Sequence, residues 1–343
     1  MKKIIVAPLN WGLGHASRCV PIIHFLIENN YTPVLASDGA ALKFLQKEFP
    51  ELPFLELPSY DISYQKNLKW GLFLKIPKIW KAVKQEEKVI ANYIEANSDV
   101  AGLISDNRFG VRSKKKPSIY MTHQIQVFAG AATFLTSFFH QRIIKTFDEC
   151  WIPDTIHSDF SGNLSDLSNS NIKVKYIGVL SRFKAKSAEQ IIDVLILLSG
   201  IEPNRTDLEI KLKKVFKDYP GKVLMVLGRI ENQQTRVIEE GIEVVNFLLS
   251  EALEEKLLSA KLVVCRSGYS SIMDLAVLQK KVIFIPTKNQ SEQEYLAKLM
   301  MKTQRAPFQK ETDFSIKSLD LVATYNGLKA EQKPLAKELL RLF

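Results

Sequence analysis

The chain has 343 residues, 46% of them hydrophobic and 24% charged, and a net charge of +10. That is a globular composition long enough for two domains of ordinary size, which excludes a chain dominated by disorder. Three cysteines, Cys19, Cys150 and Cys265, lie without C-x-x-C spacing, which excludes a disulfide framework and a zinc site and points to a reducing compartment. The basic excess asks for a partner, and nucleic acid or an anionic membrane surface are the two classes it suggests.

Met1-Lys2-Lys3 stands ahead of an apolar run, Ile4-Ile5-Val6-Ala7-Pro8, that is cut off by Pro8 and Asn10 before a signal peptide could form. No stretch reaches transmembrane length, so a cytoplasmic protein is expected. The run reads as a strand. It leads through Asn10-Trp11-Gly12-Leu13-Gly14-His15-Ala16-Ser17-Arg18 into apolar positions Val20, Ile23, Leu26 and Ile27 at helical spacing, which is strand, glycine-rich loop, helix. The glycine spacing fails the dinucleotide fingerprint. His15 falls near the helix N-terminus, where the dipole disfavours imidazolium and leaves a neutral ring able to act as a base; a capping histidine is the alternative.

From Lys66 to Lys88, lysines at 66, 69, 75, 78, 81, 84 and 88 interleave with Trp70, Leu72, Phe73, Leu74, Ile76, Ile79 and Trp80. This is the pattern of an interfacial helix meeting anionic lipid, or of an amphipathic helix packed on its own domain. Lys114-Lys115-Lys116 reads as a solvated loop. Two strands follow, Val100-Ala101-Gly102-Leu103-Ile104 and Pro117-Ser118-Ile119-Tyr120-Met121. In an open parallel sheet, ligands collect beyond the carboxyl ends of the strands, which places Asp106, Asn107, Arg108, His123 and Gln124 on one rim with His15 as an acceptor-side wall. Cys150-Trp151-Ile152-Pro153-Asp154 reads as the last strand of the first domain, the polar stretch from Ser158 to Asn171 as its boundary, and Val174 to Phe183 as the linker.

The second domain opens with the strand Asp193–Leu198 and the turn Ser199-Gly200, after which Arg205 begins a helix and reaches toward phosphate. Strands Val223–Gly228, ending at Arg229, and Glu243–Phe247 continue the alternation of a parallel sheet with helices on both faces. Between the strands Ala260–Val264 and Lys281–Pro286 lies Cys265-Arg266-Ser267-Gly268-Tyr269-Ser270-Ser271-Ile272-Met273-Asp274. It is a strand-to-helix turn whose first N–H groups carry the positive end of the helix dipole, with Gly268 open to close approach, Ser270 and Ser271 adding hydroxyls, and Asp274 one turn further on. A diphosphate bearing a ribose fits these groups, and a serine-rich cap without a ligand is the alternative.

Taken together, Gly12 through Arg18, Cys265 through Asp274, and Pro286 through Gln293-Glu294-Tyr295 resemble the signature regions of the MurG-type glycosyltransferases of family 28. The resemblance implies a GT-B architecture, an α/β fold of two Rossmann-like domains with parallel sheets facing across a cleft. The acceptor-side domain would span 1–160, a linker 161–185 and a nucleotide-sugar domain 186–326, with a C-terminal helix over 327–343 crossing back to the first domain. The resemblance also implies donor contacts from Gly200, Arg205, Arg229, Arg266, Ser267, Gly268, Tyr269, Ser270, Ser271, Asp274, Gln293 and Glu294. Acceptor-side contacts would come from Gly12, Gly14, Arg18, Asn107, Arg108, His123 and Gln124. Two departures stand out: the loop at Gly200 keeps a single glycine, and Glu294 replaces a glutamine.

The expected activity is therefore transfer of a sugar, with inversion, from a UDP-sugar such as UDP-N-acetylglucosamine to a hydroxyl acceptor, lipid-linked or glycan. His15 is the expected base and Asp106 its orienting carboxylate. No D-x-D pair occurs in these loops, so the helix N-terminus at Ser267–Ser271 is expected to stabilise the leaving diphosphate, with no essential metal and no cofactor. A peripheral position on the inner face of the plasma membrane through 66–88 is expected, and nucleic acid is not. Two alternatives remain: a UDP-sugar 2-epimerase of the same architecture, and a non-catalytic basic protein that binds membranes or polyanions.

Overall fold

The computed structural model describes residues 1–60, 68–130, 133–168 and 170–343, with 68–76 by backbone alone. By contacts the chain forms two compact units, residues 1–11, 15–180 and 333–343 in the first and residues 12–14 and 181–332 in the second.

The first unit runs β1 (Lys3–Pro8), α1 (Gly14–Glu28), β2 (Thr32–Ser37), α2 (Gly39–Glu48), β3 (Phe54–Glu56), α3 (Leu68–Ala96), β4 (Val100–Asp106), β5 (Ser118–Met121), α4 (Thr133–Ile144), β6 (Glu149–Ile152) and β7 (Val174–Tyr176). Its strands form one sheet in the order β3-β2-β1-β4-β5-β6-β7, every pairing parallel. Unbroken apolar runs such as Ile4 to Ala7 are fully buried, as strands covered on both faces must be. The order reverses between β1 and β4, and a reversal of this kind opens a crevice at the carboxyl ends of the two strands.

The second unit runs β8 (Ile192–Leu197), α5 (Asn204–Phe216), β9 (Val223–Val226), β10 (Arg236–Glu239), β11 (Ile242–Val245), α6 (Ser250–Leu258), β12 (Ala260–Cys265), α7 (Tyr269–Val277), β13 (Val282–Phe284) and α8 (Ser291–Lys302). The sheet order is β10-β11-β9-β8-β12-β13, parallel except for the β10–β11 hairpin. Here the reversal falls between β8 and β12. Val194, Ile196, Met225 and Val264 of this sheet pack on Leu208, Leu212 and Phe216 of α5.

The structure departs from or adds to the sequence reading at four places. β6 is not the last strand of its sheet: Val174–Tyr176 pairs with it in parallel, and Ile177 N–H donates to Ile152 O at 2.9 Å. That strand is three residues long and only half-buried, so it carries little hydrophobic signal. The polar boundary stretch holds a short 3-10 helix at Gly162–Ser165, gathered by the buried Asp154 carboxylate, which accepts from Ser161 N at 2.7 Å and Thr155 N at 2.7 Å. β10 escaped the sequence reading because all four of its residues are exposed; Glu240 (φ 49°) and Gly241 (φ 82°) make the tight turn to β11. The closing helix is a 3-10 helix at Lys337–Leu342 only, since Pro334 has no N–H to give and disfavours helical backbone before it.

In the segment 66–88, Lys66 lies outside the described residues, as do the side chains of Lys69, Trp70 and Lys75. Over the rest of α3, Ala82, Val83, Glu86 and Ile90 are buried while Lys78, Lys81, Lys84, Lys88 and Trp80 are exposed. That half is an amphipathic helix packed on its own unit, beside Leu9 and Tyr60. Among the described residues no helix is long and apolar enough to cross a membrane.

Candidate functional site

In the first unit, β1 and β4 are paired so that Pro8 stands beside Asp106, the last residue of its strand. Gly12 takes φ +74° in the loop between β1 and α1, a left-handed turn that glycine makes without steric cost. His15 is then the second residue of α1 and Arg18 lies one turn on, so the two side chains share a face of the helix. The fold thus brings His15, Arg18, Asp106 and His123 together.

Asp106 is completely buried. Arg18 Nε donates to its Oδ2 at 2.6 Å, Arg18 NH2 pairs with its Oδ1, and His15 Nδ1 stands 3.0 Å from Oδ1. Burial alone would raise this carboxyl; Arg18 and then His15 outweigh it and hold the value at about 2. The group is an anion at any working pH. Arg18 NH1 also donates to His123 Nδ1 at 2.9 Å, and because a guanidinium has no acceptor, Nδ1 of His123 must be the unprotonated nitrogen.

His15 has two suitors at one atom. Its Nδ1 is 3.0 Å from the carboxylate and 2.8 Å from Arg18 NH2. With the proton on Nδ1 it donates to Asp106 and leaves Nε2 as a lone-pair base; with the proton on Nε2 it accepts from Arg18 and has no base to offer.

Of the other expected acceptor-side residues, Asn107 sits beside the cluster, its Nδ2 donating to Asp106 Oδ1 at 3.3 Å. Gln124 Nε2 lies 3.4 Å from His123 Nε2. Arg108 does not join them. It is fully buried on the far side of its turn, pairing with Glu86 through Nε, with Asp38 at 2.6 Å through NH1, and with Pro58 O at 2.6 Å through NH2. Its role is structural, and the expectation that it lines the acceptor wall is corrected. Glu86 and Tyr60, which complete this buried network, gave no signal in sequence beyond a carboxylate on the apolar face of a helix.

In the second unit, Cys265 of β12 pairs with Leu197 of β8, so the turns at Gly200 and Ser267-Gly268 leave the sheet side by side at its reversal point. Gly200 has φ +107°, which requires glycine. Gly268 does not: its φ is −74°, and a Cβ there would meet only Ser271 Oγ at 3.9 Å. Among the described residues nothing demands that glycine. It caps α7, whose first residues are the buried Tyr269 and the half-buried Ser270 and Ser271. Ser267, fully buried, donates from Oγ to Gln293 O at 2.8 Å and so ties this turn to α8.

The expected donor-contacting arginines are placed otherwise. Arg266 is buried and donates to Ile285 O at 3.1 Å, Asn204 O at 3.0 Å and Glu311 at 2.9 Å, binding three loops from beneath. Arg205 is buried between Glu209 and Glu202, while Arg229, partly exposed, pairs with the same Glu209. Arg266 and Arg205, expected as phosphate ligands, are each paired within the protein, Arg266 with Glu311 and Arg205 with Glu202 and Glu209. Asp274 is also turned inward, accepting from Ser181 Oγ at 2.7 Å with Arg182 Nε at 3.7 Å. Burial, opposed by Arg182 and Ser181, raises its carboxyl to about 6. Gln293 Oε1 accepts from Thr287 N at 2.8 Å and Glu294 Oε1 from Asn289 N at 3.0 Å, so both shape the loop before α8.

Residues 205–338 match the glycosyltransferase family 28 C-terminal domain. The match covers the greater part of the second unit. The chain's resemblance to MurG-type enzymes extends to solved structures with the GT-B fold. The spinosyn rhamnosyltransferase SpnG complexed with thymidine diphosphate is similar at TM-score 0.62 and 12% identity, covering 94% of this chain and 92% of that one. The Acinetobacter baumannii MurG is similar at TM-score 0.55 and 13% identity, covering 94% and 89%. The glycotransferase of kitacinnamycin is similar at TM-score 0.60 and 13% identity, covering 94% and 89%. No curated protein matches the sequence.

Proposed function

We propose that the protein is a glycosyltransferase that moves a sugar from a UDP-sugar to a hydroxyl acceptor in one inverting displacement. The observation that carries the reading is the buried, ionised Asp106 within 3.0 Å of His15 Nδ1. A carboxylate so placed favours the tautomer with the proton on Nδ1 and stabilises the imidazolium that forms when Nε2 takes the acceptor's proton. The acceptor oxygen forms its bond to the anomeric carbon as the bond from that carbon to the diphosphate oxygen breaks. The electron pair leaves with the nucleoside diphosphate.

The diphosphate is assigned to the N-terminus of α7, with Gly268 giving backbone access and Ser270 and Ser271 adding hydroxyls; fixed N–H dipoles there offset the charge of the leaving group without an essential metal. The single glycine at Gly200 and the inward-turned arginines leave these N–H groups as the main anion ligands. SpnG, a rhamnosyltransferase, has been solved with thymidine diphosphate, which makes the thymidine nucleotide the competitor to test against UDP. The exposed Lys78, Lys81, Lys84 and Lys88 with Trp80 suit an anionic membrane surface, and a peripheral cytoplasmic enzyme acting on a lipid-linked acceptor is the setting we favour.

The test is donor turnover with UDP- and TDP-sugars in wild-type and His15→Ala protein. His15→Ala is expected to lower turnover by roughly 10²–10⁴-fold with little change in nucleotide affinity. Loss of nucleotide binding with turnover retained at saturating donor would make His15 a donor ligand and overturn its assignment as base.

A further inference from the structure

Behind the Asp106–His15 pair a line of polar groups runs into the core of the first unit, and none of the chemistry above uses it. Asn107 follows the carboxylate directly and is held at φ +61°. Its Nδ2 faces Asp106 Oδ1 at 3.3 Å, and its Oδ1 accepts from Tyr120 Oη at 3.0 Å. Tyr120, on the neighbouring strand and fully buried, has its hydroxyl 3.0 Å from Nε2 of the buried His140 on α4. Phe147 packs 4.9 Å from the Tyr120 ring, centroid to centroid, so the phenol is fixed on its apolar side as well.

The direction of every bond in this line follows from its end. An ionised carboxylate accepts only, so the Asn107 amide must turn its NH2 group toward Asp106 and its oxygen toward Tyr120. Tyr120 has a single proton, and that proton is committed to Asn107. Its oxygen accepts from His140 where that ring carries its proton on Nε2, the tautomer that leaves the buried Nδ1 beside the Gln124 backbone without a proton to donate. Burial drives His140 down to about 4, so the ring is neutral and one tautomer suffices. A chain polarised throughout in one sense strengthens each of its bonds, and a buried chain with a member missing is costly.

We propose that Asn107 and Tyr120 are positioning residues, the last links of a chain from His140 that fixes the Asp106 carboxylate so that Oδ1 takes the Nδ1 proton of His15. The inference rests on the base assignment above and adds what selects the tautomer. Arg18 competes for Nδ1 from 2.8 Å. Arg18 holds the carboxylate at two points and the Asn107 amide is a third, on Oδ1. Without that third point the carboxylate can shift along its Arg18 pairing away from His15, which concedes Nδ1 to Arg18, moves the proton to Nε2 and loses the base.

Asn107→Gly is the discriminating variant, because glycine keeps the left-handed backbone at no strain and removes only the amide. If Asn107 served merely to permit that turn, the change would be neutral. Tyr120→Phe removes only the hydroxyl. The readout is ¹⁵N NMR of the imidazole nitrogens, with turnover measured alongside. The expected result is Nδ1–H at His15 and Nε2–H at His140 in the wild type, a shift of His15 toward Nε2–H in both variants, and a drop in kcat of about tenfold, the worth of one buried hydrogen bond. KM for the donor should stay unchanged. His15 tautomer and kcat both at wild-type values in Asn107→Gly and Tyr120→Phe would overturn the proposal. A tautomer shift in a protein that transfers no sugar would sustain the chain and refute the glycosyltransferase reading, while wild-type turnover in His15→Ala would refute the base alone.

Discussion

Arg18 and Asp106 meet as a two-pronged pair closed off from water, with Nε 2.6 Å from Oδ2 and NH2 on Oδ1. Removing one partner of such a pair strands a buried charge, which costs about 3–5 kcal/mol. Arg18→Met should lower the unfolding free energy by that amount in urea denaturation at pH 7. A loss below about 1 kcal/mol, the range of exposed pairs, would mean the carboxylate finds other solvation.

Asp106 and Asp274, both buried, predict opposite responses to pH. Asp106 is held at about 2, below its ordinary value, so its stabilisation is complete above about pH 4 and is lost as pH falls toward 2. Asp274 is raised to about 6, so the folded state binds its proton more tightly than the unfolded chain, and stability falls as pH rises from about 4 to 6. Urea midpoints across pH 2–7 should lose the acid slope in Asp106→Asn and lose the decline toward neutral pH in Asp274→Asn. Identical profiles in Asp274→Asn and wild type would show that this carboxyl titrates as a solvated one.

Gly268→Val separates ligand from scaffold. The backbone there suits any residue and a Cβ meets only Ser271 Oγ at 3.9 Å, so the melting temperature should stay within a degree or two of wild type, as for a substitution within about 0.5 kcal/mol. The side chain would stand where the diphosphate is assigned. UDP at 100 times its dissociation constant, worth about 2.7 kcal/mol in wild type, should give no thermal shift in the variant. A full shift would move the nucleotide site elsewhere.

For the membrane surface, co-sedimentation with vesicles should require anionic lipid and weaken with salt, with each basic residue near the surface contributing about 1 kcal/mol. Lys81→Glu with Lys84→Glu should reduce it without altering turnover on a soluble acceptor. Equal binding to neutral and anionic vesicles would remove the electrostatic argument.

Much of this molecule was legible in the sequence because parallel strands buried on both faces leave continuous apolar runs, as Ile4 to Ala7 and Leu262 to Cys265 do. The turns that follow them were readable from glycine and from the helix patterns after them. What escaped is what has no periodicity. Four exposed residues made β10, and three half-buried ones made β7. The internal pairing of the arginines at 108, 205 and 266 was not legible, because the charge suggests an anion outside while the partners, Glu86, Glu209 and Glu311, stand 22, 4 and 45 positions away. His140 could have been noticed as a lone histidine in an apolar helix, but its link to Asp106 passes through Tyr120 and Asn107, a route that exists only once β4 and β5 are paired.

The buried Glu86 has one more effect, on the setting of α3. Its two oxygens hold Arg108, Tyr60 Oη at 2.6 Å and Gly110 N at 2.8 Å. An apolar stripe tolerates a helix rolling a little about its axis, since one methyl group replaces another. A carboxylate with three fixed donors does not. The angular position of the described half of α3 is therefore pinned like a keyed shaft, and Lys78, Lys81, Lys84 and Lys88 project at fixed bearings whatever they meet.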